Sequence, residues 1–143
     1  MVEFLTPAFG EEVVKPLPAL GVSAQALKYL NFLIGDPIHA LALYRSGVLV
    51  QIPRPERFAI HKLIVASRRR GGPEEAKARK DRAQAEFLIR ILAQDRPDDL
   101  AEALEHALAQ GPRWRSRIAS SLERMPATKD LLSGMGGAWA IGA

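Results

Sequence analysis

His39-Ala40-Leu41-Ala42-Leu43-Tyr44-Arg45-Ser46-Gly47-Val48-Leu49-Val50-Gln51-Ile52-Pro53-Arg54-Pro55 is the stretch on which the fold turns. Two apolar runs flank Arg45-Ser46-Gly47, the pattern of an antiparallel hairpin closed by a three-residue loop containing glycine. Pro53 ends the extended chain because it has no N–H to donate. Pro55 suits the first turn of a helix, where that N–H would have no partner anyway. The chain therefore passes from β to α here. Downstream, the spacing predicts helices over about 55–70, 73–94, 97–110 and 113–125, with Pro73, Pro97 and Pro112 near their starts and Gly71-Gly72 and Gly111 at the stops. In the second of them Ala76, Ala83, Phe87 and Ile91, with Leu88 and Leu92 beside them, predict one buried face. Upstream, residues 2–5 read as a strand ending at Thr6-Pro7. Residues 8–22 read as a loop punctuated by Gly10, Pro16, Pro18 and Gly21, and residues 24–34 fit neither the helix nor the strand template. The class is α+β: a short N-terminal strand and an antiparallel hairpin, then a four-helix C-terminal region. The expected division is a β-rich end over 1–53, a helical region over 54–126 and a flexible tail over 127–143.

Composition narrows the chemistry. With 143 residues, 48% hydrophobic and 25% charged, the chain can bury a core of ordinary size. It contains no Cys, which rules out a disulfide framework and thiolate catalysis. Its apolar runs fall short of the roughly 20 residues that cross a bilayer, and Glu3 stands where a secretory leader would be basic. The expectation is a cytoplasmic protein without a membrane partner. His39, His61 and His106 lack metal-ligand spacing. No phosphate-binding glycine loop and no G-x-S-x-G elbow occurs.

Charge is uneven. From Arg54 to Arg82 there are ten Lys or Arg against four acids. Such a block can gather the phosphates of a nucleotide or nucleic acid, or can simply be a solvated helix face. Lys62 shares a helical stripe with Phe58, Ala59, Val65 and Ala66, so its ammonium either reaches water along its stem, pairs with a carboxylate or meets a phosphate. Asp81 lies on the inner face near the start of its helix and wants a cation, from Lys77 or from the preceding helix, unless it serves a ligand. Trp114 among Arg113, Arg115 and Arg117 reads as core packing before base stacking.

Val2-Glu3-Phe4-Leu5-Thr6-Pro7, the P-x-P-E-R-[FY]-A-x-H-K-L run from Pro53 to Leu63, Arg68-Arg69-Arg70 and the K-D-x-x-Q-A run from Lys80 to Ala85 together resemble a bacterial nucleotidyltransferase-like family of the polymerase-β superfamily. They are more distantly similar to abortive-infection nucleotidyltransferase toxins. The resemblance covers roughly residues 1–125. It implies transfer of a nucleoside monophosphate from a nucleoside triphosphate with Mg²⁺, to a nucleic acid or a protein as candidate acceptor. It makes Glu3 the catalytic and metal-binding third acid, and Lys62, Arg69, Arg70, Lys80 and Asp81 the nucleotide and phosphate site. The Gly-Ser followed by an acid-x-acid pair that supplies two further carboxylates in such enzymes does not occur in these residues. The resemblance therefore implies a C-terminal portion that depends on an N-terminal segment for catalysis. A nucleic-acid-binding module and a catalytically inactive interaction domain are the alternatives.

Overall fold

The first strand of the computed structural model, which describes residues 3–69 and 71–135, is β1 (Leu5–Pro7). It pairs in parallel with β3 (Val22–Leu27), whose other edge takes β2 (Val14–Leu17) antiparallel, giving the order β1-β3-β2. Both outer strands carry proline, Pro7 and Pro16, as a strand paired on one side only allows. The N-terminal strand thus begins later than residues 2–5, and Glu3 precedes it. The expected loop over 8–22 holds β2 and a 3-10 turn at Pro18–Leu20. Pro16 sits in the edge strand β2, which a proline signal disguises as loop, and Pro18 opens the 3-10 turn. Residues 24–34, which fitted neither template, are both. The strand runs to Leu27, Tyr29 takes a left-handed φ of 68°, and a short helix α1 (Leu30–Ile34) follows.

The hairpin forms as β4 (Ile38–Tyr44) and β5 (Ser46–Ile52), paired from Ile38↔Ile52 to Tyr44↔Ser46. Its turn is tighter than three residues. Arg45 alone links the strands at φ 57°, a left-handed conformation that costs a non-glycine residue roughly 1–2 kcal/mol.

The helices are α2 (Pro55–Arg68), α3 (Gly72–Asp95), α4 (Pro97–Ala109), α5 (Pro112–Leu122) and α6 (Pro126–Gly134). The left-handed glycines Gly71 (φ 72°) and Gly72 (φ 54°) let the chain reverse between α2 and α3, a conformation glycine adopts without a Cβ penalty. In place of a tail beginning at 127, α6 buries Thr128 and Leu132. The remaining residues of that expected tail, 136–143, lie outside the described residues.

Contacts divide the chain into two units, Met1–Arg54 and Pro55–Ala143. In the second, α2 is the hub, packing on α3, α4 and α5. Ile60, Leu63 and Ile64 of α2, Ile89 of α3, Leu100 of α4, and Ile118 and Leu122 of α5 are fully buried. Each such side chain contributes about 1.5–3 kcal/mol of transfer free energy. The inner stripe of α3 is Ala78, Asp81, Ala85, Ile89 and Leu92, not Ala76, Ala83, Phe87 and Ile91, whose positions are exposed. The helix carries apolar residues on two faces. Asp81 marks the inner one, its carboxylate meeting Lys62 of α2 and Arg69 just past the end of that helix. Among the described residues no helix is long and apolar enough to cross a membrane.

Candidate functional site

The strongest polar constellation is built where α3 returns along α2. Lys62 projects from the inner stripe of α2 beside Phe58, its Nζ 5.1 Å from the ring centroid. Opposite it, Asp81 is the polar member of the buried α3 stripe, with its side chain 4% exposed. Lys62 Nζ donates to Asp81 Oδ1 at 2.8 Å, and Arg69 Nη1 donates to Asp81 Oδ2 at 2.7 Å. One carboxylate therefore holds two cations, leaving the trio with one net positive charge, and both cations keep a partly exposed side.

The same scheme repeats along the first turns of α3. Glu74 lies 2.6 Å from Lys77 Nζ and 3.5 Å from Arg69 Nε. Glu75 lies 2.9 Å from Arg82 Nη2 and 3.3 Å from Arg124 Nη1, just beyond α5. The hydrogen bond from Lys77, and that from Arg82, hold the Glu74 and Glu75 carboxyls below the usual carboxylate range. His61, next to Lys62, is pushed down to about 4. Burial is the main cause, and Lys62 and Arg68 add to it against the attraction of Asp81. Its imidazole is therefore neutral at physiological pH.

Of the expected site residues, Lys62, Arg69 and Asp81 come together. Lys80 does not join them: it is exposed on the outward side of α3 and forms no ion pair among the described residues. Arg70 lies outside the described residues. Glu3 is exposed, two residues ahead of β1.

No group of three or more His, Asp or Glu among the described residues is placed to hold a metal ion. Glu3 by itself is a poor match for the two ions, about 3.5–4 Å apart, of a nucleotidyl-transfer centre. The described residues of this chain do not by themselves make up a two-ion Mg²⁺ site.

One buried acid escaped sequence reasoning. Glu56 is 1% exposed, meets Arg96 Nη1 only at 3.5 Å and leaves its Oε2 without a hydrogen-bond partner. As the residue after Pro55 it reads as an acid favoured by the positive helix end. The signal against that reading was the stripe of Glu56, Ala59, Ile60 and Leu63, which sets it on the inner face.

A family model described as Nucleotidyltransferase matches residues 1–109. No curated protein and no solved structure matches the chain.

Proposed function

The chain belongs to that nucleotidyltransferase family, and from this premise we propose that it is the nucleotide-holding part of a nucleotidyltransferase whose paired carboxylates come from a further polypeptide segment. The observation that carries the proposal is the surface of the first unit. Of the sixteen large apolar side chains exposed among the described residues, thirteen lie between Phe4 and Ile52. They include Leu41, Leu43, Tyr44, Val48 and Leu49 on the hairpin, between 50% and 82% exposed. A two-stranded hairpin is marginal in water without cover, and apolar surface of this extent marks an interaction site. A segment carrying a Gly-Ser and an acid-x-acid pair would cover that surface and bring the carboxylates that Glu3 lacks. Lys62 and Arg69, fixed by Asp81, would meet the triphosphate. Arg70 and Lys80 belong to the same reading through the resemblance alone. Mg²⁺ would be held mainly by the added carboxylates, with Glu3 as the one ligand from this chain.

The short contacts of Asp81 favour a second reading, a catalytically inactive interaction domain in which the Lys62–Asp81–Arg69 trio only joins two helices. The deciding experiment follows Mg²⁺-dependent label transfer from each of the four α-labelled nucleoside triphosphates, by the chain alone and with a carboxylate-bearing segment encoded next to Met1. The expected outcome is no transfer by the chain alone and transfer by the pair. In the pair, Glu3→Gln should abolish transfer and Lys62→Ala should mainly raise KM. Robust transfer by the chain alone, or full activity of Glu3→Gln in the pair, contradicts the proposal. Inactivity of the pair supports the second reading.

A further inference from the structure

α3 is 24 residues long, and the side turned away from the core has a composition of its own. Ala76, Lys80, Ala83, Phe87, Arg90 and Gln94 recur at intervals of four, three, four, three and four, so they form one line about 27 Å long. All six are exposed, and Phe87 is 54% exposed. Lys80 and Arg90 form no ion pair among the described residues, and Arg79 on the flank makes no short pair there but attracts Glu75 one turn earlier. From 76 to 94 the helix carries five cations and two acids. One of the acids, Asp81, is buried and already engaged by Lys62 and Arg69. That leaves Glu86 as the acid at the surface.

An apolar residue alternating with cations on a helix face is poorly matched to a second copy of itself. In a parallel pairing Lys80 meets Lys80 and Arg90 meets Arg90. In the antiparallel register that sets Phe87 on Ala83, Lys80 meets Arg90. Like charges coincide in both directions. The complementary surface is anionic, repeats its charge along a line and offers flat apolar groups between charges. A single nucleic-acid strand has that pattern: phosphates for the cations and bases that stack on an aromatic ring regardless of sequence. Lys80 and Arg90 are about 15 Å apart along the helix, which is too far to converge on one triphosphate. From this placement we infer that the outward face of α3 is a docking surface for single-stranded nucleic acid, with Lys80, Arg90 and Arg79 on phosphates and Phe87 stacked on a base. The inference takes Lys80 away from the nucleotide site, to which only the resemblance assigns it, and does not depend on the nucleotidyl-transfer reading, since it needs neither Glu3 nor a partner segment.

The test uses the whole chain and a fluorescein-labelled 20-nucleotide oligothymidylate, with an abasic oligomer of equal length, followed by anisotropy across a salt series. The expected result is binding at low salt whose log–log slope is about −2, close to −0.7 for each of three cations. Lys80→Ala with Arg90→Ala should reduce the slope to about −0.7. Phe87→Ala should weaken binding of the thymidylate about tenfold and leave the abasic oligomer unchanged. Far-UV circular dichroism of each variant confirms that the helix persists. As a control of equal charge change, Lys15→Ala with Lys28→Ala, both exposed in the first unit, should change the slope by less than the α3 pair. Absence of salt-dependent binding, equal loss in the Lys15 and Lys28 control, or equal affinity for the abasic oligomer overturns the inference. So does a concentration-dependent dimer that Phe87→Ser dissolves, since it would make the face an interface between copies.

Discussion

The two units of this protein use their apolar residues in opposite ways. Among the described residues, the first buries Ala8, Ala24, Ala26, Leu30 and Phe32 and exposes thirteen large apolar side chains. The second, from Pro55 on, buries eighteen hydrophobic residues among those described and exposes three large ones, Phe87, Ile91 and Leu131. Three of the five buried residues in the first unit are alanines, which supply little transfer free energy. The second unit holds the core that makes the chain fold. The first presents a largely apolar exposed surface.

The comparison breaks most visibly in the core of the second unit. Leu63→Ala, at a fully buried position on α2, should lower the unfolding free energy in urea by about 2–5 kcal/mol. Leu43→Ser, at a hairpin position 82% exposed, should change it by less than about 0.5 kcal/mol. Equal losses would mean that the hairpin is already packed.

The next effect is a pH dependence. The His61 imidazole is held down to about 4, against an ordinary value near 6.5. Between those values the unfolded chain binds a proton that the folded chain refuses, so stability falls as pH drops from about 6.5 to 4. The full loss is about 3 kcal/mol. Chemical unfolding at a series of pH values checks it, and His61→Phe should flatten the curve in that window. An imidazole that titrates near 6.5 by NMR would contradict the burial assigned to it.

A slightly smaller change is expected at the polar node. Asp81→Ala leaves Lys62 and Arg69 without the carboxylate that separates them. The cost should be about 1–3 kcal/mol, below that of breaking a fully buried pair because both cations retain some solvent. A double-mutant cycle with Lys62→Met measures the coupling directly. The smallest effect belongs to the first unit: the Asp36–Arg54 pair is short at 2.6 Å but 51% and 39% exposed. Arg54→Ala should cost less than about 0.5 kcal/mol.

Legibility in the sequence cuts across that divide. The hairpin and the helices of the second unit were readable because proline and glycine punctuate them and no other pairing competes. The position of Asp81 itself reads as inward, but the same periodicity offers Ala76, Ala83, Phe87 and Ile91 as the buried face of α3. That stripe has the same helical period as the true one, and period alone cannot say which of two apolar stripes is covered. The trio at Asp81 is half legible: Lys62 reads as an ammonium needing an anion, whereas Arg69 as its co-donor depends on how Gly71 and Gly72 turn the chain. Glu56 was missed because an acid after proline at a helix start normally faces water. β2 was hidden by Pro16, which signals a loop unless one knows that the strand lies at a sheet edge.

The proposed carboxylate-bearing segment acts by covering the exposed apolar side chains of the first unit. The most direct measurement is amide hydrogen exchange across residues 38–52 and 58–68 of the same chain, alone and with the carboxylate-bearing segment. The prediction is weak protection of β4 and β5 in the chain alone, strong protection of α2 throughout, and a rise in hairpin protection when the segment is added. A hairpin protected as strongly as α2 in the chain alone, and unchanged by the segment, would contradict it.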